Sequence, residues 1–454
     1  MSLNALFSTA RRSLLAHQAA TNATASNVAN VETPGYTRRT TRLQSDPASS
    51  GGILIPGRAH AGGVGVAEYD RVRLALLDDA ARRGKTGAGG ADEGARLLAG
   101  LEAQVAPDGG GALTGAVGSF FDAWADVADN PTDGGTRDAL VAATDRLAGA
   151  LAGAAGRAEA YGRAVERDLA TSVDRANGLL QEVAALNETI RAARAQGADD
   201  LDALDRRDVA LDELAGLAPF KARNEADGTV TVTVAGMVAV QDAEAAPLRL
   251  TTPPATPAPA VWAKGAPAPL ALDGTEGGAI GAQLHLLGSA LPDARAALDR
   301  LAADLVTGVN AQHRAGTGLD GLSGRDFFDP AGVTATSLAL GADVLASTDA
   351  VAAAGPGQGP GDATTATAVV GLGEAAGGAA TRLLADLGTE VRAASAASAA
   401  NEAFAGYTQG LRDGVSRVSL DEEMADLIRH QQAFAASARV LQTAESLFDT
   451  ILTI

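Results

Sequence analysis

The residues in this chain that could do chemistry are few, and none sits in an arrangement that would let it act. Gly316-Thr317-Gly318-Leu319-Asp320-Gly321 spells G-x-G-x-x-G, the spacing that brings backbone amides up to a pyrophosphate. Here it follows a helical pattern rather than a strand and opens no helix, so the dinucleotide reading fails. Gly84-Lys85-Thr86 is like the end of a phosphate-cradling loop, but Asp79 stands where the first glycine belongs. Asp199, Asp200, Asp202, Asp205 and Asp208 gather carboxylates without the turn glycine of a calcium loop. They alternate with leucines at helical spacing, and the expectation is a solvated helix face. His17, His60, His285, His313 and His430 lie far apart with no H-E-x-x-H pair, and are expected on the surface or in helix seams rather than around a metal. The cysteine count is zero, which excludes disulfides, thiolate chemistry and Cys-ligated metal. No Ser or Thr occupies a nucleophile elbow. The chain is expected to be no enzyme and to hold no cofactor and no metal.

What remains is architecture. The 454 residues exceed one ordinary domain, and 46% are hydrophobic although only 3% are aromatic. Alanine-rich apolar content suits closely packed helices better than sandwiches. A net charge of −19 opposes nucleic-acid binding, which needs clustered Lys and Arg. No apolar run approaches the roughly 20 residues of a membrane span, so no membrane insertion is expected. The N-terminus lacks a conventional signal peptide, so export would need another route.

Periodicity divides the chain. Leu3, Phe7, Ala10, Leu14, His17, Thr21, Thr24, Val28 and Val31 alternate four and three apart, which puts them on one helix face. Pro34-Gly35 ends that helix. Residues 45–66 read as an extended loop, and helices are expected at 70–83 and 92–105, broken by Gly84 to Gly90. An unbroken stripe from about 135 to 195 predicts one helix of roughly 55 residues, about 80 Å long. Leu201 to Leu217 continues as a shorter helix. At Pro219 the period changes: Asp227-Gly228 signals a turn before Thr229-Val230-Thr231-Val232-Thr233-Val234, a strict β alternation. Residues 219–275 therefore read as a small β insertion, one that could be excised without loss of assembly. Helix resumes over 276–313; residues 314–380 offer short strand candidates only; helix returns over 382–452. There Leu420, Met424, Leu427, Gln431, Phe434, Ala438, Leu441, Phe448 and Leu452 form a second stripe. Residues 1–45 carry five Arg against one Glu, and residues 420–454 carry six acids against two Arg. Opposite charge makes the two ends natural coiled-coil partners, while each could instead pack on its own body.

The ends carry more than periodicity. Asn27-Val28-Ala29-Asn30-Val31-Glu32-Thr33-Pro34-Gly35-Tyr36-Thr37-Arg38 resembles the signature of the flagellar axial proteins: rod, hook and hook-associated proteins. Within that superfamily, Leu420-Asp421-Glu422-Glu423, Leu427-Ile428-Arg429, Gln431-Gln432-Ala433-Phe434 and Ala438 to Thr443 are similar to the hook-associated protein 1 family of hook–filament junction proteins. Ser119-Phe120-Phe121 with Asn130-Pro131 and Arg137, Leu204 to Asp208, Ala311-Gln312-His313 and Asp326-Phe327-Phe328 follow that family's order. The chain departs from it in a short variable middle.

The resemblance implies a structural protein of the bacterial flagellum, forming the hook–filament junction ring that adapts hook to filament. The alternative is another axial protein, hook or distal rod; the long 135–195 helix and the Asp326-Phe327-Phe328 region argue against it. A flagellum-associated peptidoglycan hydrolase would need paired carboxylates or a metal, and a secreted adhesin should lack the N-terminal signature. The resemblance further implies unfolded type III export without a cleaved signal and an extracellular location. The implied partners are other copies in a ring homo-oligomer, hook protein, hook-associated protein 3, a flagellar export chaperone and the export apparatus. The expected fold is mainly α. Terminal helices (1–45 and 415–454) pair as an inner coiled coil, 46–218 and 276–414 form a long-helix bundle body, and 219–275 is the β insertion. Candidate assembly residues are Leu3, Phe7, Leu14, Asn30, Pro34, Gly35, Tyr36, Leu420, Met424, Leu427, Phe434, Leu441 and Phe448. Pro34 and Gly35 would redirect the chain outward, and Tyr36 would present an aromatic anchor with a polar tip at a subunit boundary.

Overall fold

The computed structural model describes residues 3–45, 64–252, 259–263, 268–270 and 277–452. Most of the loop expected at 45–66, His60, and most of the Pro-rich stretch within the insertion lie outside them. In chain order the elements are α1 (Leu3–Ala29), β1 (Arg39–Ser45), β2 (Val64–Arg71), α2 (Ala75–Val105), α3 (Gly111–Asp129), α4 (Gly134–Ala195) and α5 (Leu201–Leu217). Then come β3 (Phe220–Asn224), β4 (Val230–Val234), β5 (Met237–Gln241), β6 (Glu244–Ala245), β7 (Leu248–Thr251) and β8 (Ala260–Ala263). The chain closes with α6 (Gly278–His285), α7 (Leu291–Ala315), α8 (Ala342–Ala346), α9 (Thr364–Val370), α10 (Gly373–Ser416) and α11 (Leu420–Leu452).

The long stripe makes α4, a helix of 62 residues, about 93 Å at 1.5 Å per residue. The Asp133 carboxylate caps its start by accepting from the Gly135 amide at 2.9 Å. Leu140, Leu147, Leu151, Val165, Leu169 and Val183 are buried along it. This one helix threads two cores. Its first half packs with α3, α7, α9 and the 327–353 loops around Phe120, Trp124, Phe327 and Phe328. Its second half packs with α2, α5, α6 and the strands around Leu101, Leu214, Val232 and Val240.

The break expected at Gly84 to Gly90 does not occur, and α2 runs straight through it. These glycines serve packing instead. A Cβ on Gly84 would meet Thr408 Oγ1 at 2.6 Å and the Ala405 Cα at 3.0 Å, and one on Gly89 would meet the Gly216 carbonyl at 2.4 Å. The missing side chains let α2 lie against α10 and α5, and that packing outweighs the helix cost of glycine, about 1 kcal/mol each. The helix expected at 70–83 begins only at Ala75, because Arg39–Ser45 and Val64–Arg71 pair as an antiparallel ladder that the loop reading of 45–66 did not foresee. The helix expected over 276–313 is two helices within the described residues, Gly278–His285 and Leu291–Ala315, joined by a π turn at Leu286–Ala290. Residues 314–380 hold isolated bridges with α8 and α9, and α10 and α11 are separated at 417–419.

The β unit is a four-stranded antiparallel sheet, β3-β4-β5-β6, plus the β7–β8 pair. Two asparagines on α4 bind it by imitating a strand's peptide groups. Asn177 donates to the Leu248 carbonyl (2.9 Å) and accepts from its amide (2.7 Å). Asn187 does the same with Val230, at 2.9 and 3.0 Å. The unit shares its core with α4 and is not an appendage.

Candidate functional site: the terminal helix pair and its neck

α1 and α11 pack antiparallel. Ser13 Oγ meets Ser437 Oγ at 2.7 Å, the His17 and His430 rings face each other, and Asn27 Nδ2 donates to Glu423 Oε2 at 2.9 Å. The seam is made of small and polar residues: Ala10, Ala16, Ala20, Ala23, Thr24 and Asn27 are buried on α1, and Glu423 and Ala444 on α11. Small side chains let the two axes approach closely. The expected stripes are therefore rotated. Of the α1 set, Ala10, His17 and Thr24 reach the seam. Phe7, Leu14, Leu427 and Leu441 sit half-buried at its flanks, and the Leu3 side chain is outside the described residues. Leu420, Met424, Phe434 and Phe448 point outward, 47%, 47%, 40% and 45% exposed, joined by Ile428, Val440 and Leu447.

Two passages connect this pair to the body, the turn after α1 and the 417–419 link. They run side by side, with the Arg38 amide donating to the Ser416 carbonyl at 2.9 Å. Pro34 and Gly35 are exposed and turn the chain. Gly35 has φ +80°, and a Cβ there would lie 2.2 Å from Val209 Cγ2 on α5, so two requirements demand glycine. Asn27 organises the turn. Its Oδ1 accepts from the Tyr36 hydroxyl (2.9 Å) and the Arg39 amide (2.9 Å), and its Nδ2 donates to the Arg39 carbonyl (2.8 Å) as well as to Glu423. Asn30, the asparagine chosen from the sequence, makes only local bonds, to the Ser26 carbonyl and with Thr33. The Tyr36 tip is likewise used within the chain, and Arg39 lies 4.7 Å over its ring. Burial raises the Tyr36 pKa, and the Ser26 hydrogen bond pulls against that rise.

Adjacent arginines then point in opposite directions. Arg38 grips the first turns of α11: Glu423 at 2.7 Å, Glu422 at 2.8 Å and Asp426 at 3.7 Å. Arg39 grips α5, at Asp202 (2.5 Å) and Asp205 (3.2 Å). Burial works against the Arg39 cation, but Asp202, Tyr36 and Asp205 together raise its pKa. The contact continues along α5, where i, i+3 and i+4 steps align Asp202, Asp205, Asp208 and Asp212 on one face. Asp205 also holds Arg71 (2.9 Å). Asp208 holds Arg71 (2.7 Å), Arg82 (2.9 Å) and Arg73, and Asp212 holds Arg82 (2.9 Å) and Arg412 (2.6 Å). The solvated face expected here is instead an ionic rail that joins the neck, β2, α2 and α10. Among the described residues no group of three His, Asp or Glu could hold a metal, and no helix is long and apolar enough to cross a membrane.

Sequence reasoning missed Asn27, Arg38, Arg39 and the rail. The available signals were the opposite charges of the ends and a polar residue in the seam register. It also misplaced His313, which is a core residue. His313 Nδ1 donates to the Arg325 carbonyl (2.8 Å) and Nε2 accepts from the Ala352 amide (2.9 Å), which fixes a neutral ring whose pKa burial lowers to about 4. Buried Arg137 gathers the Pro131, Thr348 and Val351 carbonyls at the head of α4.

Comparison with known proteins accounts for this arrangement. Residues 7–37 match the flagella basal body rod protein family, and residues 415–454 match the C-terminal region of the flagellar basal body rod FlgEFG proteins. The paired ends thus have the character of flagellar axial proteins. Residues 98–328, half of the chain, match the helical domain of flagellar hook-associated protein FlgK, and the chain belongs to that family of flagellar structural proteins. Flagellar hook-associated protein 1 of Bacillus subtilis is 24% identical, over 98% of this chain and 97% of that protein. The Escherichia coli protein of the same name is 22% identical over the whole of both chains. The one from Salmonella typhimurium is 27% identical over 72% of this chain and 59% of its own. The solved flagellar hook junction protein FlgK from Burkholderia pseudomallei aligns over 55% of this chain and 46% of that chain, with 24% identity and a TM-score of 0.49.

Proposed function

We propose that this chain assembles as a ring at the distal end of the hook, with the α1–α11 pair innermost and the body and β unit outward. It is a structural protein of the flagellar hook–filament junction. The observation that carries the ring reading is the exposed apolar face of α11. A seam of alanines closes the pair, while Leu420, Met424, Phe434 and Phe448 stay outside it. Such a surface suits burial against neighbouring copies. Pro34, Gly35, Tyr36 and Asn30 act indirectly, by setting the turn that carries the pair. Phe7, Leu14, Leu427 and Leu441 flank the seam where a neighbour would cover them. The neck and rail make the subunit able to transmit load, because each passage out of the pair is tied to the body. Hook protein and hook-associated protein 3 are the axial neighbours on the two sides. Delivery is by the flagellar type III apparatus, unfolded and with an export chaperone, to an extracellular position. The role is structural and not catalytic.

Deletion of the gene should leave hooks without filaments, with flagellin shed to the medium. Leu427→Asp should be exported with its body folded yet fail to join the hook. Filaments of normal length on cells carrying only that variant would refute the reading.

A further inference from the structure

The seam holds one titratable pair that the neck does not use. His17 and His430 face each other with ring centroids 6.0 Å apart. They lie between the Ser13–Ser437 bond and the Asn27–Glu423 bond. Both are half-buried, and His17 Nδ1 is enclosed without a hydrogen-bond partner. We propose that His17 and His430 form an acid-released latch across the α1–α11 seam.

The surrounding charges do little to host a cationic pair. From α11, Glu423 and Asp426 favour a His430 cation and Arg429 opposes it, and from α1 His17 opposes it. Both carboxylates are already drawn to Arg38, at 2.7 and 3.7 Å, and Asp426 also to Arg429 at 2.6 Å. α1 has no carboxylate, and its only charges are Arg11 and Arg12. β1 and β2, which flank the end of α1, bring Arg39, held by Asp202 and Asp205, and Arg42, paired with Asp70 at 2.9 Å. Above the ordinary histidine range, near pH 6.5, a neutral His430 packs against the His17 ring across the seam. In acid a charge on His430 would be packed against the His17 ring, 6.0 Å away, with no unpaired carboxylate on α1 to receive it, and opening hydrates it. Burial, the largest cause, holds His430 below its ordinary pKa in the closed pair. The closed form therefore binds fewer protons than the open one, is complete above the ordinary range, and is lost as pH falls below it.

The cysteine-free chain allows a direct test. Spin labels at Gln18→Cys and Gln432→Cys, both exposed, report the seam in the full-length protein by pulsed electron resonance. At about pH 7.5 a single short distance is expected. By about pH 5 more than half of that population should be lost, while amide protection along α4 persists. The same labels with His17→Gln and His430→Gln should keep the short distance throughout. The latch is overturned by a short distance that survives acid in the parent chain, by equal loss in the glutamine variant, by concurrent loss of α4 protection, or by no short distance at neutral pH.

Discussion

The two ends of the long helix face a core that is finished; the two ends of the chain form a seam that is not. Around α4, Phe120, Trp124, Phe327 and Phe328 are fully buried, with neighbouring ring centroids 5.0–6.0 Å apart. Between α1 and α11 the buried residues are alanine, threonine, asparagine and one glutamate, and the phenylalanines lie outside. Hydrophobic stabilisation scales with apolar area removed from water. The body therefore secures itself within one chain. The terminal pair holds its shape with small contacts and the Arg38 ion pairs, and leaves its large apolar side chains exposed. On the function proposed above, the body supplies stability and the ends supply association.

The largest effect is expected in the body. Phe327→Ala should cost about 3–5 kcal/mol, read as a lower denaturant midpoint for the body. If the cost stayed under about 1 kcal/mol, the aromatic cluster would not be the dominant core. Acid tests the same region next. The folded-state pKa of His313, about 4, lies below the ordinary 6.5, so the folded chain binds fewer protons. Its contribution is complete above about pH 6.5 and falls away toward pH 4, by about 3 kcal/mol at 1.36 kcal/mol per unit. Denaturant titrations across that window should show the slope, and His313→Gln should flatten it.

What the sequence disclosed depended on the length scale of the signal. The 135–195 stripe is long and periodic, and α4 follows it nearly residue for residue. Gly84 to Gly90 misled because glycine's local cost is visible in the sequence, while the α10 and α5 backbones that fill the space are not. The acidic stretch misled in the same way, since the four arginine partners of Asp202, Asp205 and Asp208 come from distant segments: the neck, β2, the β2–α2 link and α2. At the ends, the Thr33-Pro34-Gly35-Tyr36 turn was legible, but the rotational setting of each stripe was not. A heptad pattern weights large apolar residues, and here alanine makes the seam. The excision expected to be harmless is revised too. Removing 219–275 would take Val230, Val232, Val234, Val240 and Val261 out of the core they share with α4 and orphan Asn177 and Asn187, so it should destabilise the second half of α4.

A smaller cut sharpens that point. Asn187→Ala leaves the Val230 amide and carbonyl without their α4 partner. Buried groups left unpaired cost about 1–3 kcal/mol. Hydrogen exchange should rise at Val230 while α3 and α7 stay protected. Equal loss in both regions would mean that the two halves of α4 are one cooperative unit rather than two cores on a shared rod.

The smallest effect on the isolated chain is expected at Phe434. Its side chain is 40% exposed on α11, while Ser437, one turn on, makes the seam contact with Ser13. Phe434→Asp therefore removes no fully buried side chain from the monomer. Surface changes of this kind usually stay within about 0.5 kcal/mol, so denaturant midpoints should match the parent. Assembly should respond in the opposite sense. If the outward face of α11 is buried between copies, a carboxylate there must be dehydrated without a partner, a cost of several kcal/mol at each contact, and a ring repeats that cost at every subunit. The variant should be exported, fold, and be absent from purified hook–filament preparations. Ala435→Asp, on the same helix at an exposed position beside a small residue, separates added charge from lost apolar area. If both variants assemble normally, the outward face of α11 is merely solvated, and the division between a self-sufficient body and associating ends does not hold.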